Sequence, residues 1–384
     1  PRPTAPDRRW ALNPSGSSSG IGTAANLWAA NVGTETSGSV LGPANQNMLA
    51  AIKPTVGRVS RYGIIPITAD QDTAGPMAKT VADAAILLGA MEGARPDPHD
   101  SATARCAPPA GRDYTKFLRT GALKGARIGI PRTFWYDAVT LPGADRPRGG
   151  LRAEERKLMA EAIGVLKELG AVIVDPADLP SVVTADESRN LLRRNMCAGP
   201  SAAKGKDQNC SVVFKYGMKR DFNRWLESLG PAAPLKSLTE LREFNLANRA
   251  AGAIQYGQAQ LDISDEMDLE SDRARYEADR AKDLELAAAQ GFDAAMKAHN
   301  LDALLFPGAN GYNVSAMPGY PTVIVPFGTV PNRPNPPFPE GFDAKSAPFG
   351  VSFAGAACSE PQLIGFAYAF EQATRRRVPP PATP

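Results

Sequence analysis

The chain has 384 residues, 43% apolar and 22% charged, and its 43 basic and 40 acidic side chains leave a formal charge of +3. Such a length buries a sizeable core without staples, and the composition excludes wholesale disorder. A charge this near neutral argues against a nucleic-acid binder, and with no run of 18 apolar residues no membrane-spanning helix is expected either.

Residues 1–13 are rich in Pro and Arg and read as an arm. Residues 14–93 form the densest Gly/Ser/Ala block. It opens on Ser15-Gly16-Ser17-Ser18-Ser19-Gly20-Ile21-Gly22, which reads as a loop leading into an Ala-rich helix over 23–30. A Gly/Ser loop entering a helix can aim N–H groups and hydroxyls at an anion or a developing oxyanion. Phosphate is the weaker reading, because neither GxxxxGK[ST] nor GxGxxG is present. A second turn, Gly33-Thr34-Glu35-Thr36-Ser37-Gly38-Ser39-Val40, gathers small residues around Ser39. It could supply a nucleophile and an oxyanion hole, one donor of which is typically worth about 3–4 kcal/mol. An ordinary Gly-rich turn has the same composition. A helix is predicted over 80–91.

Residues 94–113 hold four prolines and read as a surface loop. A β-like run at Ala126-Arg127-Ile128-Gly129-Ile130, a helix over 153–169 and a strand at Ala171-Val172-Ile173-Val174 follow. That rhythm suggests an α/β layer architecture. From 184 to 300 the chain is helical and charged, and 265–299 reads as a solvated helix face laced with i,i+4 pairs. Strand-like runs return at Ala303-Leu304-Leu305-Phe306, Thr322-Val323-Ile324-Val325 and Gly350-Val351-Ser352-Phe353, with a Pro-rich loop at 331–339 and a closing helix over 361–374. Strands at both ends predict one large α/β domain: a central mixed, twisted sheet covered by helices, with a helical insertion.

The chain has two histidines, His99 and His299, and neither sits in a nucleophile motif. Ser-His-Asp, Cys-His and multi-His metal chemistry are therefore poor fits. Cys106, Cys197, Cys210 and Cys358 are too few and too scattered for a disulfide scaffold or a zinc site. Cys197 and Cys210 could pair across their loop or be buried thiols, the latter being favoured; Cys106 and Cys358 have no suggestive neighbours. Ser201-Ala202-Ala203-Lys204 fits SxxK, but no matching Lys-Thr-Gly follows, so it reads as chance.

Several blocks together resemble the amidase signature family. They are Gly16-Ser17-Ser18-Ser19-Gly20, Gly33-Thr34-Glu35-Thr36-Ser37-Gly38-Ser39, Lys53-Pro54-Thr55-Val56-Gly57-Arg58 and Asp72-Thr73-Ala74-Gly75-Pro76-Met77. Gly319-Tyr320-Pro321, Val325-Pro326-Phe327-Gly328 and Pro348-Phe349-Gly350-Val351-Ser352-Phe353 extend the likeness to the C-terminal core. Residues 13–92 and 300–379 carry it. The variant Gly33-Thr34-Glu35-Thr36-Ser37-Gly38-Ser39 is similar to the peptide-amidase-like branch, with its urethane-cleaving members, rather than to glutamyl-tRNA amidotransferase subunits.

The resemblance implies a serine hydrolase that cleaves the C–N bond of small amides, peptide amides, aryl amides or carbamates through an acyl-enzyme. It implies Ser39 as nucleophile and Ser17, on a cis peptide, as the bridging serine of a Ser–cis-Ser–Lys triad. The oxyanion donors fall on the backbone of Thr36, Ser37, Gly38 and Ser39, while Glu35, Arg58 and Asp72 act as supports. A buried, neutral Lys can take a proton through the bridging hydroxyl, and a non-proline cis peptide, costing about 3–4 kcal/mol, is strain held for function. Only 16 residues precede Ser17, and the first lysine is Lys53, in the structural Lys-Pro-Thr motif. The family's catalytic lysine, several tens of residues before the bridging serine, is therefore not present in this chain and is expected upstream of Pro1. The interval from Ser17 to Ser39 is also two residues shorter than the family's usual spacing.

The implied layout is one domain lacking its N-terminal part: a signature core over 14–93, a helical insertion or substrate cap over 184–300, and a return to the core over 301–384. Phe214, Tyr216 and Trp225 are candidate pocket walls from the insertion. No metal or organic cofactor is implied. The expected partner is the small amide or carbamate, on a monomer or homodimer, with a cytoplasmic location favoured. The alternatives are a non-catalytic scaffold or an amidotransferase-type subunit.

Overall fold

The computed structural model describes residues 17–197, 210–255, 257–333, 337–342 and 345–380. The first block folds as α1 (Ser17–Ala24), β1 (Ala30–Glu35), α2 (Leu41–Gln46), β2 (Ala50–Lys53), β3 (Thr73–Ala78) and α3 (Val81–Met91). Next come β4 (Arg127–Gly129), α4 (Ala153–Glu168), β5 (Val172–Val174) and α5 (Pro180–Val183). A short parallel pair, β6 (Asn195–Met196) and β7 (Cys210–Ser211), precedes α6 (Val213–Ser228), α7 (Leu238–Ala247), α8 (Ala259–Asp265) and α9 (Arg273–Leu284). The last of these runs through a π-helical stretch, Glu285–Phe292, into α10 (Asp293–His299). The chain returns through β8 (Ala303–Pro307), α11 (Tyr312–Ala316), β9 (Thr322–Val330) and β10 (Ala347–Ala354), and closes with α12 (Glu360–Thr374).

One eight-stranded sheet has the order β1-β3-β2-β9-β10-β8-β4-β5. Strands from the two ends of the chain interleave. The pairs from β1 through β8 are antiparallel, and β4 runs parallel to both β8 and β5. The mixed α/β sheet expected from the sequence is therefore present. Successive side chains on a strand face opposite sides. Accordingly Ile52, Val323 and Val325 pack with Ala84, Leu88, Leu166 and Phe370 of α3, α4 and α12 on one face. Ala51 and Ile324 pack on the other, with Ala24 of α1, Leu41 of α2 and Val40. Coverage on both faces explains why β8 and β9 read as near-continuous apolar runs.

The first fifty residues depart from expectation. The predicted loop at 15–22 is instead helix α1 from Ser17 onward; the predicted helix at 23–30 keeps only its first two residues in α1, and 25–29 turn into β1. Gly22 and Trp28 show why. The indole lies where a Cβ at Gly22 would come within 2.0 Å, and its Nε1 donates to Thr23 Oγ1 at 3.0 Å, so the chain folds back there. Gly33, Thr34 and Glu35, read as a turn, are extended because they pair with Gly75, Ala74 and Thr73 of β3. Ladder pairing outweighs weak local β preference.

The insertion also differs from a plain solvated face. Asp279 and Asp283 of α9 are buried. Arg194 bonds both, Ser211 Oγ donates to Asp283, and the Val212 N–H donates to Asp279. Arg275–Asp279 is an i,i+4 pair, but the partners at 194, 211 and 212 lie far away in sequence. Buried carboxylates need such partners.

Both disulfides correct the cysteine reading. Pairing of β6 with β7 brings Cys197 to Cys210, and these two are bonded rather than free thiols. Cys106 and Cys358, 252 residues apart, form the other bridge. Arg58 draws their loops together by donating to Ala107 O and Cys358 O. Among the described residues no helix is long and apolar enough to cross a membrane. The arm at 1–13, Ser15, Gly16 and the SxxK run at 201–204 lie outside the described residues.

Candidate active site

The site begins where β1 ends. Glu35 is buried, and its Oε2 accepts from the N–H groups of Val40 at 2.7 Å and Leu41 at 2.9 Å. These are first-turn donors that α2 cannot satisfy internally. The intervening residues 36–39 must therefore arch over the carboxylate. Three side-chain contacts shape the arch. Thr36 Oγ1 donates to Asp72 Oδ1 at 2.5 Å, and Gln71 Nε2 donates to Thr36 O at 3.2 Å. Ser37 Oγ donates to Asn313 Oδ1 at 2.7 Å. Gly38 has φ +88°, and the Tyr312 ring lies 3.1 Å from where its Cβ would sit. Only glycine takes that conformation cheaply.

Ser39 is half-buried at the end of the arch. The N–H groups of Ser37, Gly38 and Ser39 have no acceptor among the described residues. A loop held by its side chains and left open along three successive amides can receive an anionic oxygen.

The supports have distinct electrostatics. Burial raises the Asp72 carboxyl to about 7, against the opposing bonds from Thr36 and the Ile67 N–H. Lys53 is fully buried with its ammonium donating to Tyr320 O; burial lowers it to about 8, opposed by Glu35 and Glu360. Arg58 bridges two buried carboxylates, Glu92 at 3.1 Å and Glu360 at 2.6 Å. Burial, the largest single influence, would raise Glu360, but the Arg58 bond and charge and the bonds from Thr55 together hold that carboxyl below its usual value.

The expected site residues are only partly brought together. Thr36, Ser37, Gly38 and Ser39 form the single arch just described. Ser17 opens α1, but its side chain and the Gly16–Ser17 link lie outside the described residues. Within α1, Ser19 Oγ donates to Val32 O at 3.1 Å, which ties the helix to β1. Phe214, Tyr216 and Trp225 of α6 face three different cavities. Phe214 lines one of about 200 Å³ with Met218 and Leu261. Tyr216 lines an open groove of about 690 Å³ and stacks on Tyr276 at 4.4 Å. Trp225 lines a cleft of about 420 Å³ together with Tyr62, His99 and Asp72. Tyr312, Asn313 and Gln71 were not singled out by sequence. Asn313 lies 276 residues from Ser37, and no local pattern marks it. Among the described residues no group of three or more His, Cys, Asp or Glu could hold a metal.

A family model described as Amidase matches residues 3–364. A probable amidase of Arabidopsis thaliana is 32% identical over 96% of this chain and 62% of its own length. The crystal structure of the peptide amidase from Stenotrophomonas maltophilia superposes with a TM-score of 0.72 at 35% identity, covering 94% of this chain and 66% of that one. A glutamyl-tRNA(Gln) amidotransferase subunit of Trichlorobacter lovleyi is 38% identical, but over 47% of this chain and 36% of its own length. The chain thus spans about three fifths to two thirds of these full-coverage relatives.

Proposed function

Because this chain belongs to the amidase family, we propose that it is a serine hydrolase acting on the C–N bond of small amides, with Ser39 as nucleophile. The observation that carries this reading is the arch: three amides at 37–39 with no acceptor among the described residues, ending on a half-buried serine. In the proposed reaction Ser39 Oγ attacks the amide carbon while its proton passes to the Ser17 hydroxyl, which gives up its own to the lysine of the relay. The carbonyl π pair moves to oxygen, where the 37–39 N–H groups stabilise it more than they stabilise the ground state. Collapse of the adduct expels the amine, which takes a proton back through Ser17, and water then releases the acyl group as an acid. The lysine of the relay is the one member that residues 1–384 do not supply at the family's position.

Peptide amides, aryl amides and aryl carbamates are the proposed substrates. Likeness to a peptide amidase over nearly the whole chain supports the first class. An amidotransferase role draws less support, because the sequence likeness to such a subunit spans under half of the chain. The test is turnover of an aryl amide and an aryl carbamate by the intact protein, before and after Ser39→Ala. Loss of about 10⁴-fold or more in kcat is expected, as for other serine nucleophiles. Undiminished turnover in Ser39→Ala removes the assignment.

A further inference from the structure

We propose that Asn313 is a specificity-determining residue that recognises a second carbonyl in the substrate, so that peptide-type amides are favoured over simple acyl amides. This rests on the assignment of Ser39 as nucleophile. Asn313 is exposed on α11, and its Oδ1 is occupied by the hydroxyl of Ser37, two residues before Ser39. That bond fixes which way the carboxamide faces. The Nδ2 group has no acceptor among the described residues and so presents two N–H donors beside the nucleophile arch. A carbonyl oxygen is the natural acceptor for them. In an N-acyl amino acid amide, the group preceding the scissile carbonyl supplies one.

The position is pre-organised rather than incidental. Ser315 Oγ bonds Gly311 O and Tyr312 O and accepts from Thr322 Oγ1, which ties α11 to the start of β9. Trp135 Nε1 donates to Asn310 O at 3.1 Å, just ahead of the helix. Arg280, from α9 of the insertion, donates to Met317 O at 2.6 Å and Asp70 O at 3.2 Å. One guanidinium therefore joins the Asn313 platform to the turn carrying Gln71 and Asp72, the two residues that hold Thr36. Donors held this rigidly lose little freedom on binding, and a polar site discriminates by leaving its donors unpaired when the acceptor is missing.

The test compares N-acetylphenylalaninamide with 3-phenylpropionamide, which shares the scissile amide and phenyl arm but lacks the second carbonyl. For the intact protein, kcat/KM is expected to be about three- to tenfold higher for the first, the range of one net hydrogen bond. Asn313→Ala is expected to lower kcat/KM for the first substrate by that factor more than for the second, through KM. Asn313→Asp keeps the acceptor for Ser37 but exchanges the donor for an oxygen, and is expected to do the same if the alanine variant fails to fold. Equal turnover of both substrates by the intact protein, or equal losses on both in the variants, overturns the inference and leaves the hydrolase reading standing. Turnover of neither, with the aryl amide still cleaved, overturns the inference alone; turnover of none of these substrates removes both.

Discussion

Thr36 and Asp72, 36 residues apart, share a buried hydrogen bond through which the turn before β3 holds the arch after β1. Asp72 uses its other oxygen on the Ile67 N–H at 2.8 Å. The carboxylate thus joins two loops that would otherwise be independent.

That joint titrates. Burial raises Asp72 to about 7 in the folded chain, against about 4 when unfolded. The folded state therefore binds the extra proton across that window, and its contribution to stability is full below about pH 4 and lost as pH rises through 7. Glu371, also raised by burial to about 7, acts in the same sense. Urea midpoints are expected to fall between pH 4.5 and 8, and Asp72→Asn to flatten part of that slope. An unchanged slope in the variant contradicts the burial argument.

Gly38 makes a second prediction. Ala at φ +88° costs about 1–2 kcal/mol, and its methyl would press on the Tyr312 ring. Gly38→Ala should lower both stability and amide turnover. Adding Tyr312→Ala relieves the contact but not the backbone cost, so thermal melting should show incomplete recovery.

Arg58 pairs with two carboxylates that water cannot reach. Arg58→Met leaves Glu92 and Glu360 buried without their cation, a loss of about 3–5 kcal/mol at neutral pH. Without the guanidinium, burial raises both carboxyls, so the deficit should shrink as pH falls toward 4 and they protonate. Urea titrations at pH 7.5 and 4.5 check the sign.

The disulfides differ in span. Cys106–Cys358 closes 252 residues and Cys197–Cys210 closes 13, so loop entropy assigns them about 5 and about 3 kcal/mol. Replacing Cys106 and Cys358 by Ser should depress Tm more than replacing Cys197 and Cys210. The reverse order would place the stabilisation in native contacts instead.

Much of the fold is legible in residue order alone. Helices over 80–91, 153–169 and 361–374 and strands near 128, 173, 304, 323 and 351 are found where apolar spacing predicts them. Periodicity is a local property, so it survives without knowledge of the partner. β1, β2 and β3 were not legible. Their segments, Ala30–Glu35, Ala50–Lys53 and Thr73–Ala78, are rich in Ala, Gly and Pro, and become strands only because the sheet supplies their hydrogen bonds.

The charge and composition that bounded the chain at first meeting hold no information on who meets whom. Sequence by itself determined the α/β class, the family motifs and the small-residue run that lets the 36–39 arch form. Tertiary structure alone decided that Asn313 stands beside Ser37, that Arg280 ties the insertion to both walls, and that each cysteine has a partner. The reason is physical: backbone preference and hydrophobic period act over a few residues, whereas a hydrogen bond or disulfide across hundreds exists only once strand order has brought its ends together.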